Sequence, residues 1–169
     1  MGLRKNLVKK IENIEHCTEL IELELYDNRI TKIENLEPLS KLIILDLAFN
    51  AIKEITPGSL DSLVNCKKMF LSANKIKKIQ GLQNLKSIEC LDLGDNRIRK
   101  IENLEGLTTL RELHLAKNKI QVIEDNPLQA NWKVASKQKL PEFIFGVPTF
   151  KGWHKMTDHE KDLFNQVAK

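Results

Sequence analysis

LIELELYDNRI (Leu20–Ile30), LIILDLAFNAI (Leu42–Ile52), IECLDLGDNRI (Ile88–Ile98) and LRELHLAKNKI (Leu110–Ile120) are copies of one frame. In each, leucines stand three and five residues before an asparagine and an isoleucine stands two after it. Met69, Leu71, Asn74 and Ile76 supply a further copy, and the asparagines at 6, 28, 50, 74, 96 and 118 follow at intervals of 22, 22, 24, 22 and 22 residues. A fixed period of this length is the signature of a solenoid, in which each coil buries its apolar edge by stacking on its neighbours.

The letters follow from the physics of one coil. Pairs such as Leu23/Leu25, Leu45/Leu47, Leu91/Leu93 and Leu113/Leu115 alternate with polar or variable residues. That period of two predicts a short strand with one buried face. The asparagine marks a corner, where its amide can satisfy backbone groups whose loss costs about 1–3 kcal/mol each. Ile30, Ile52, Ile76, Ile98 and Ile120 re-enter the core. An Ile-Glu-Asn-Leu box (Ile33–Leu36, Ile101–Leu104) and Leu39 or Leu107 then form the return leg.

These features resemble the leucine-rich-repeat family, in its 22-residue subclass. Within it, Glu24–Glu37, Leu91–Leu110 and Leu115–Ile120 are similar to repeats of the regulatory subunit 7 family of protein phosphatase 1. The resemblance implies an α/β fold: a right-handed solenoid with a concave parallel sheet and a C-terminal cap. It covers residues 1–124, read as a partial first repeat plus five repeats, with residues 125–169 as cap and terminal helix. Met1, Leu3, Asn6, Val8 and Ile11 fall in the slots of Leu23, Leu25, Asn28, Ile30 and Ile33. An open first coil is therefore expected, and the chain reads as a shortened relative of that family. After Ile123 the period stops. Asn126-Pro127-Leu128 opens the expected cap, Trp132–Lys139 its helix and Phe143–Phe145 its apolar cover, although no Leu-x-Leu strand precedes Asn126.

Composition bounds the function. Charged residues make up 30% of the 169 and the net charge is +4, which suits a soluble chain without a nucleic-acid-like excess of charge. No apolar run is long enough for a membrane span. Three cysteines give an odd count. Cys17 and Cys66 take leucine slots and are expected in the core, while Cys90 is expected to face out. A reduced cytosolic or nuclear setting follows. His16, His114, His154 and His159 show no ligand spacing with the cysteines, and no glycine-rich phosphate loop is present. Paired carboxylates recur with the repeat, as a surface rule does. No metal, no cofactor and no enzyme activity are expected.

The outward slots carry the functional signal. Between the two strand leucines run Glu24, Asp46, Phe70, Asp92 and His114, a mildly acidic column with an aromatic at its centre. After the asparagines lie twelve basic residues, from Lys9 and Lys10 to Lys119, against one acid, Glu54. That ridge reads as a solvated flank rather than a nucleic-acid rim. A single aromatic can pack over neighbouring stems, but one ringed by charges on a solenoid's binding face has the make-up of an interface anchor. The resemblance implies that this column contacts the catalytic subunit of protein phosphatase 1, with Asp46, Phe70 and Asp92 keeping the family's acid–aromatic–acid order. His114 departs from the aromatic usual there. A second resemblance, in Asn126–Gly152, is to the cap of axonemal dynein light chains, which implies a cilium or centrosome adaptor. The spliceosomal A-prime class would make the partner an RNA-binding protein.

The proposed register can be tested directly. Leu91→Ala is expected to cost about 2–5 kcal/mol, because a central coil cannot collapse without disturbing both neighbours. Unchanged thermal unfolding would contradict that register.

Overall fold

The computed structural model describes residues 1–121. Five three-residue strands carry its regular structure: β1 (Glu22–Glu24), β2 (Ile44–Asp46), β3 (Lys68–Phe70), β4 (Cys90–Asp92) and β5 (Glu112–His114). They form one parallel sheet in chain order. Leu23, Leu45, Met69, Leu91 and Leu113 stand opposite one another across the sheet, as the period predicts. The first four are fully buried and Leu113 is 2% exposed. Leu25, Leu47, Leu71, Leu93 and Leu115 line the next buried column. The return legs among the described residues are successive turns rather than α-helices. Leu39 N donates to Leu36 O, and Leu42 N to Leu39 O, each at 3.0 Å.

The asparagine corners hold the coils to one another. Asn96 Nδ2 donates to Leu93 O at 3.1 Å and Gly94 O at 3.0 Å in its own coil, and to Leu71 O of the preceding coil at 2.9 Å. Its Oδ1 accepts from Ile76 N, also in the preceding coil, at 3.0 Å. Asn28, Asn50, Asn74 and Asn118 make the same bonds one period apart. A buried amide thus satisfies backbone groups of two coils at once, and Asn74 and Asn96 are themselves buried. The residue before each asparagine takes a left-handed backbone, with φ between 49° and 56° at Lys5, Asp27, Phe49, Ala73, Asp95 and Lys117.

A second series of cross-coil bonds runs down the return leg. Asn35 Nδ2 donates to Ile11 O at 2.6 Å and Asn103 Nδ2 to Ile79 O at 2.7 Å, both from left-handed residues. In the coil between Asn74 and Asn96 the slot holds Gly81 (φ 69°), which suits the backbone but has no amide. The neighbouring Gln80 supplies it instead, its Nε2 reaching Ile55 O at 3.0 Å. The longer coil, with 24 residues between Asn50 and Asn74, uses other donors. Ser62 Oγ bonds Leu36 O at 2.9 Å and Asn65 Nδ2 bonds Ser40 O at 2.9 Å.

At the first coil, Gly2 pairs with Glu24 in parallel and Leu3 N donates to Glu24 O at 2.8 Å. Ile11 and Ile14 are buried, whereas Met1, Leu3 and Leu7 are exposed. The three cysteines are free thiols. Cys66 is buried as expected, and burial pushes its thiol up to about 12. Cys17 is partly covered against the core. Cys90 stands on the outer face of β4, as expected, but it is covered there: Lys68 and Glu112 are its register partners and it is only 8% exposed. The boundary near residue 124, the cap and the terminal helix lie outside the described residues.

Two outcomes follow. Asn96→Ala should lose at least about 2 kcal/mol in denaturant unfolding, since it strands backbone groups in two coils. Asn6 is exposed and its amide bonds Leu3 O and Arg4 O of its own coil, so Asn6→Ala should stay within about 0.5 kcal/mol. Equal losses would remove the cross-coil argument. In the native protein a thiol reagent should label Cys17 first, with Cys66 reacting in step with unfolding. Simultaneous labelling would contradict the packing of that return leg.

Candidate functional site

Because the strands pair in register, the middle outward slot becomes a physical column. Glu24 stands opposite Asp46, Asp46 opposite Phe70, Phe70 opposite Asp92, and Asp92 opposite His114. All five side chains are half-buried, each rising between a fully covered strand residue and its outward neighbours. The sheet therefore brings together every residue that the sequence marks as a candidate.

Their chemistry is not uniform. Glu24 is ion-paired with Arg4. Asp46 Oδ1 accepts from Ala48 N at 3.0 Å, and Asp92 Oδ1 from Gly94 N at 2.8 Å. Both aspartates thus cap the end of their own strand, an Asx-type role that supplies a structural reason for an acid there. A Cβ at Gly94 would lie 3.1 Å from Asp92 Oδ1, and the Ala48 bond, made beside a Cβ, is the longer of the two. Burial pushes the Asp46 carboxyl above its usual range, while the Ala48 bond and Arg4 pull it back. His114 Nε2 lies 3.7 Å from Glu112 Oε2, an ion pair when the imidazole is protonated.

At the aromatic centre, Phe70 is half-buried between its strand neighbours. The more prominent ring is Phe49, 50% exposed, and it packs on Tyr26 with centroids 5.1 Å apart and planes tilted by 53°. Phe49 sits in a left-handed corner with φ 56°, where a bulky side chain is disfavoured. In the equivalent corners stand Lys5, Asp27, Ala73, Asp95 and Lys117, all polar or small. The signal was available as the one large apolar residue in a polar slot. Because it follows the strand, the strand pattern does not reach it.

A second grouping also escapes sequence spacing. Cys90, Glu112 and His114 place their sulfur, carboxylate and imidazole donors within 4.8 Å of one another. Burial, then Glu112, pushes the Cys90 thiol up to about 11. The twelve basic residues after the asparagines are exposed on a different flank of the coils, as a solvated ridge would be, with Lys32 pairing Glu34 at 3.5 Å. Among the described residues, no helix is long and apolar enough to cross a membrane.

Comparison with known proteins agrees with this geometry. A leucine-rich-repeat family model matches residues 18–76 and again 40–98, and a second one matches residues 106–122. The chain is similar to an internalin from Listeria monocytogenes at 29% identity and a TM-score of 0.66, covering 85% of this chain and 40% of that one. It is similar to a leucine-rich-repeat protein of Leptospira interrogans at 28% identity and a TM-score of 0.67, covering 72% and 32%. The LRIM1/APL1C complex shares the fold at 18% identity and a TM-score of 0.65, covering 69% of this chain and 23% of that one. The chain thus spans less than half the length of each of these structures. No curated protein matches it significantly. Its stacked coils, in-register sheet and matching repeat models place this chain among the leucine-rich-repeat proteins.

Proposed function

We propose that the chain is a non-catalytic binding module that docks a protein on the outward face of its sheet. The observation that carries this reading is the in-register column Glu24–Asp46–Phe70–Asp92–His114, acidic at most positions and aromatic at its centre. Leucine-rich repeats serve as scaffolds for protein contacts, and the solved relatives include a protein complex. Phe49 and Tyr26 extend the face. A bulky ring kept at a left-handed corner opposes the fold's own preference, and such strain collects where a surface is used.

The partner in this reading is the catalytic subunit of protein phosphatase 1, which the chain would hold or redirect by covering part of its surface. That choice rests on the resemblance of Glu24–Glu37 and Leu91–Leu110 to the phosphatase-regulator repeats. A cytosolic or nuclear setting belongs to the same reading, supported by three free thiols and no disulfide among them. The basic ridge takes no part in it.

Purified phosphatase catalytic subunit and the full chain provide the test. Phe70→Ala should weaken binding by about 2 kcal/mol, roughly thirtyfold, with the circular dichroism spectrum retained. Phe49→Asn, better suited to a left-handed backbone, should leave stability equal or higher while still weakening the complex. Charge reversal of Lys77, Lys78, Arg99 and Lys100 should leave binding intact. Loss with the ridge variant but not with Phe70→Ala would move the site off the sheet. Failure of the unmodified chain to bind would overturn the phosphatase assignment.

A further inference from the structure

The outer corner of the sheet between β4 and β5 holds a set of groups that the binding reading does not explain. Cys90 pairs in register with Glu112, and Asp92 with His114. Residues two apart on a strand share a face, so these four form a square on the outward surface. Three of its corners, Cys90 Sγ, a Glu112 carboxylate oxygen and a His114 ring nitrogen, converge to within 4.8 Å of one another. The fourth corner, Asp92, is turned aside by its bond from Gly94 N at 2.8 Å and contributes charge rather than a ligand atom.

The geometry points to a binding site for one divalent transition-metal ion of the zinc class, held by Cys90, Glu112 and His114 with a fourth position open to water. Zinc bonds of about 2.0–2.3 Å place tetrahedral ligand atoms roughly 3.4 Å apart. The donors, at most 4.8 Å apart, therefore need to close by about 1.4 Å at most. Glu112 can supply that movement, since its side chain is 51% exposed and already lies beside both Cys90 and His114, 3.7 Å from His114 Nε2. Thiolate and imidazole together select zinc, cobalt or nickel over magnesium and calcium, which prefer oxygen-only sites. The carboxylates of Glu112 and Asp92 offset the metal charge, and Lys68, the register partner of Cys90 on β3, is the cation that opposes it. Rigidity favours the site as well: two donors stand on β5 and one on β4, and the backbone between those strands is fixed by the pairing of the sheet.

The inference does not depend on the partner reading, although His114 belongs to both. Without a metal, the same groups amount to a covered thiol beside a carboxylate and an imidazole, so the experiment must separate the two. The full chain, kept reduced by a weakly chelating phosphine, is titrated with Co²⁺ while its absorption is recorded. A one-to-one complex with a sulfur-to-cobalt charge-transfer band and tetrahedral ligand-field bands is expected, displaced by Zn²⁺ and insensitive to excess Mg²⁺. Cys90→Ser should abolish the charge-transfer band and Cys17→Ser should keep it. Glu112→Gln and His114→Asn should each weaken binding by more than about tenfold, the least that loss of a mere outer-shell partner costs. Circular dichroism of the metal-free variants separates lost ligation from lost folding. Absence of the thiolate band, its survival in folded Cys90→Ser, or unchanged affinity in both folded β5 variants would overturn the site.

Discussion

The structure depends on one constraint: every coil must turn a corner beside a buried core, where backbone groups cannot reach water. The asparagine amide meets it, with one nitrogen donating to carbonyls of two coils and one oxygen accepting from the earlier coil. No other side chain of that size offers donor and acceptor in one rigid plane. The consequence is geometric as well as energetic. Because each amide grips the preceding coil at the same two atoms, the coils cannot slip against each other. The five strands are thereby held in register although each is three residues long. Strands so short would carry little stability by themselves.

Register, in turn, creates the surface. Residues one period apart in sequence become neighbours across a single strand spacing. The acidic and aromatic column follows from this, and so does the Cys90–Glu112–His114 cluster, whose members lie 22 and 24 residues apart along the chain. The same column shows why function and fold are hard to separate in such a molecule. Asp46 and Asp92 face outward toward any partner, yet each also ties down a backbone N–H at the end of its strand. Part of the acidity of this face is therefore a consequence of turning the corner, and Phe70 and Phe49 carry the less ambiguous signal.

Much of the solenoid was legible in the sequence because a single rule is repeated. Leu91, Leu93, Asn96 and Ile98 could each be placed from their copies in other coils, and the structure puts them there. Three kinds of feature were not legible. The slot of Cys90 gives its outward direction, but burial depends on what stands in the neighbouring strands, here Glu112 and Lys68. Phe49 escapes the pattern because the corner slot before the asparagine belongs to no hydrophobic period, and leucine spacing does not encode its left-handed backbone. The replacement of Asn35 and Asn103 by the pair Gln80–Gly81 keeps the bond and the backbone while changing both letters. Conformation and hydrogen bonding were there divided between two residues, which a positional frame cannot see.

His114 is where the two proposed properties of the sheet meet. As the last member of the column it presents an imidazole to a docked protein, and as a ligand it would turn its ring toward Cys90 and Glu112. A metal at that corner, balanced by the Cys90 thiolate and the Glu112 carboxylate, would leave a fixed neutral group where the metal-free corner carries the Glu112 charge. It would thereby lower the acidity of that end of the face. Any partner that recognises the acidic column must then bind the metal-free and metal-loaded forms with different free energies. By linkage the partner must change metal affinity by the same factor. The coupling needs no movement of the backbone, since register alone brings the shared side chain into both sites. In a solenoid this is the general case: one period serves many columns, and a residue in any column is a first neighbour of the next.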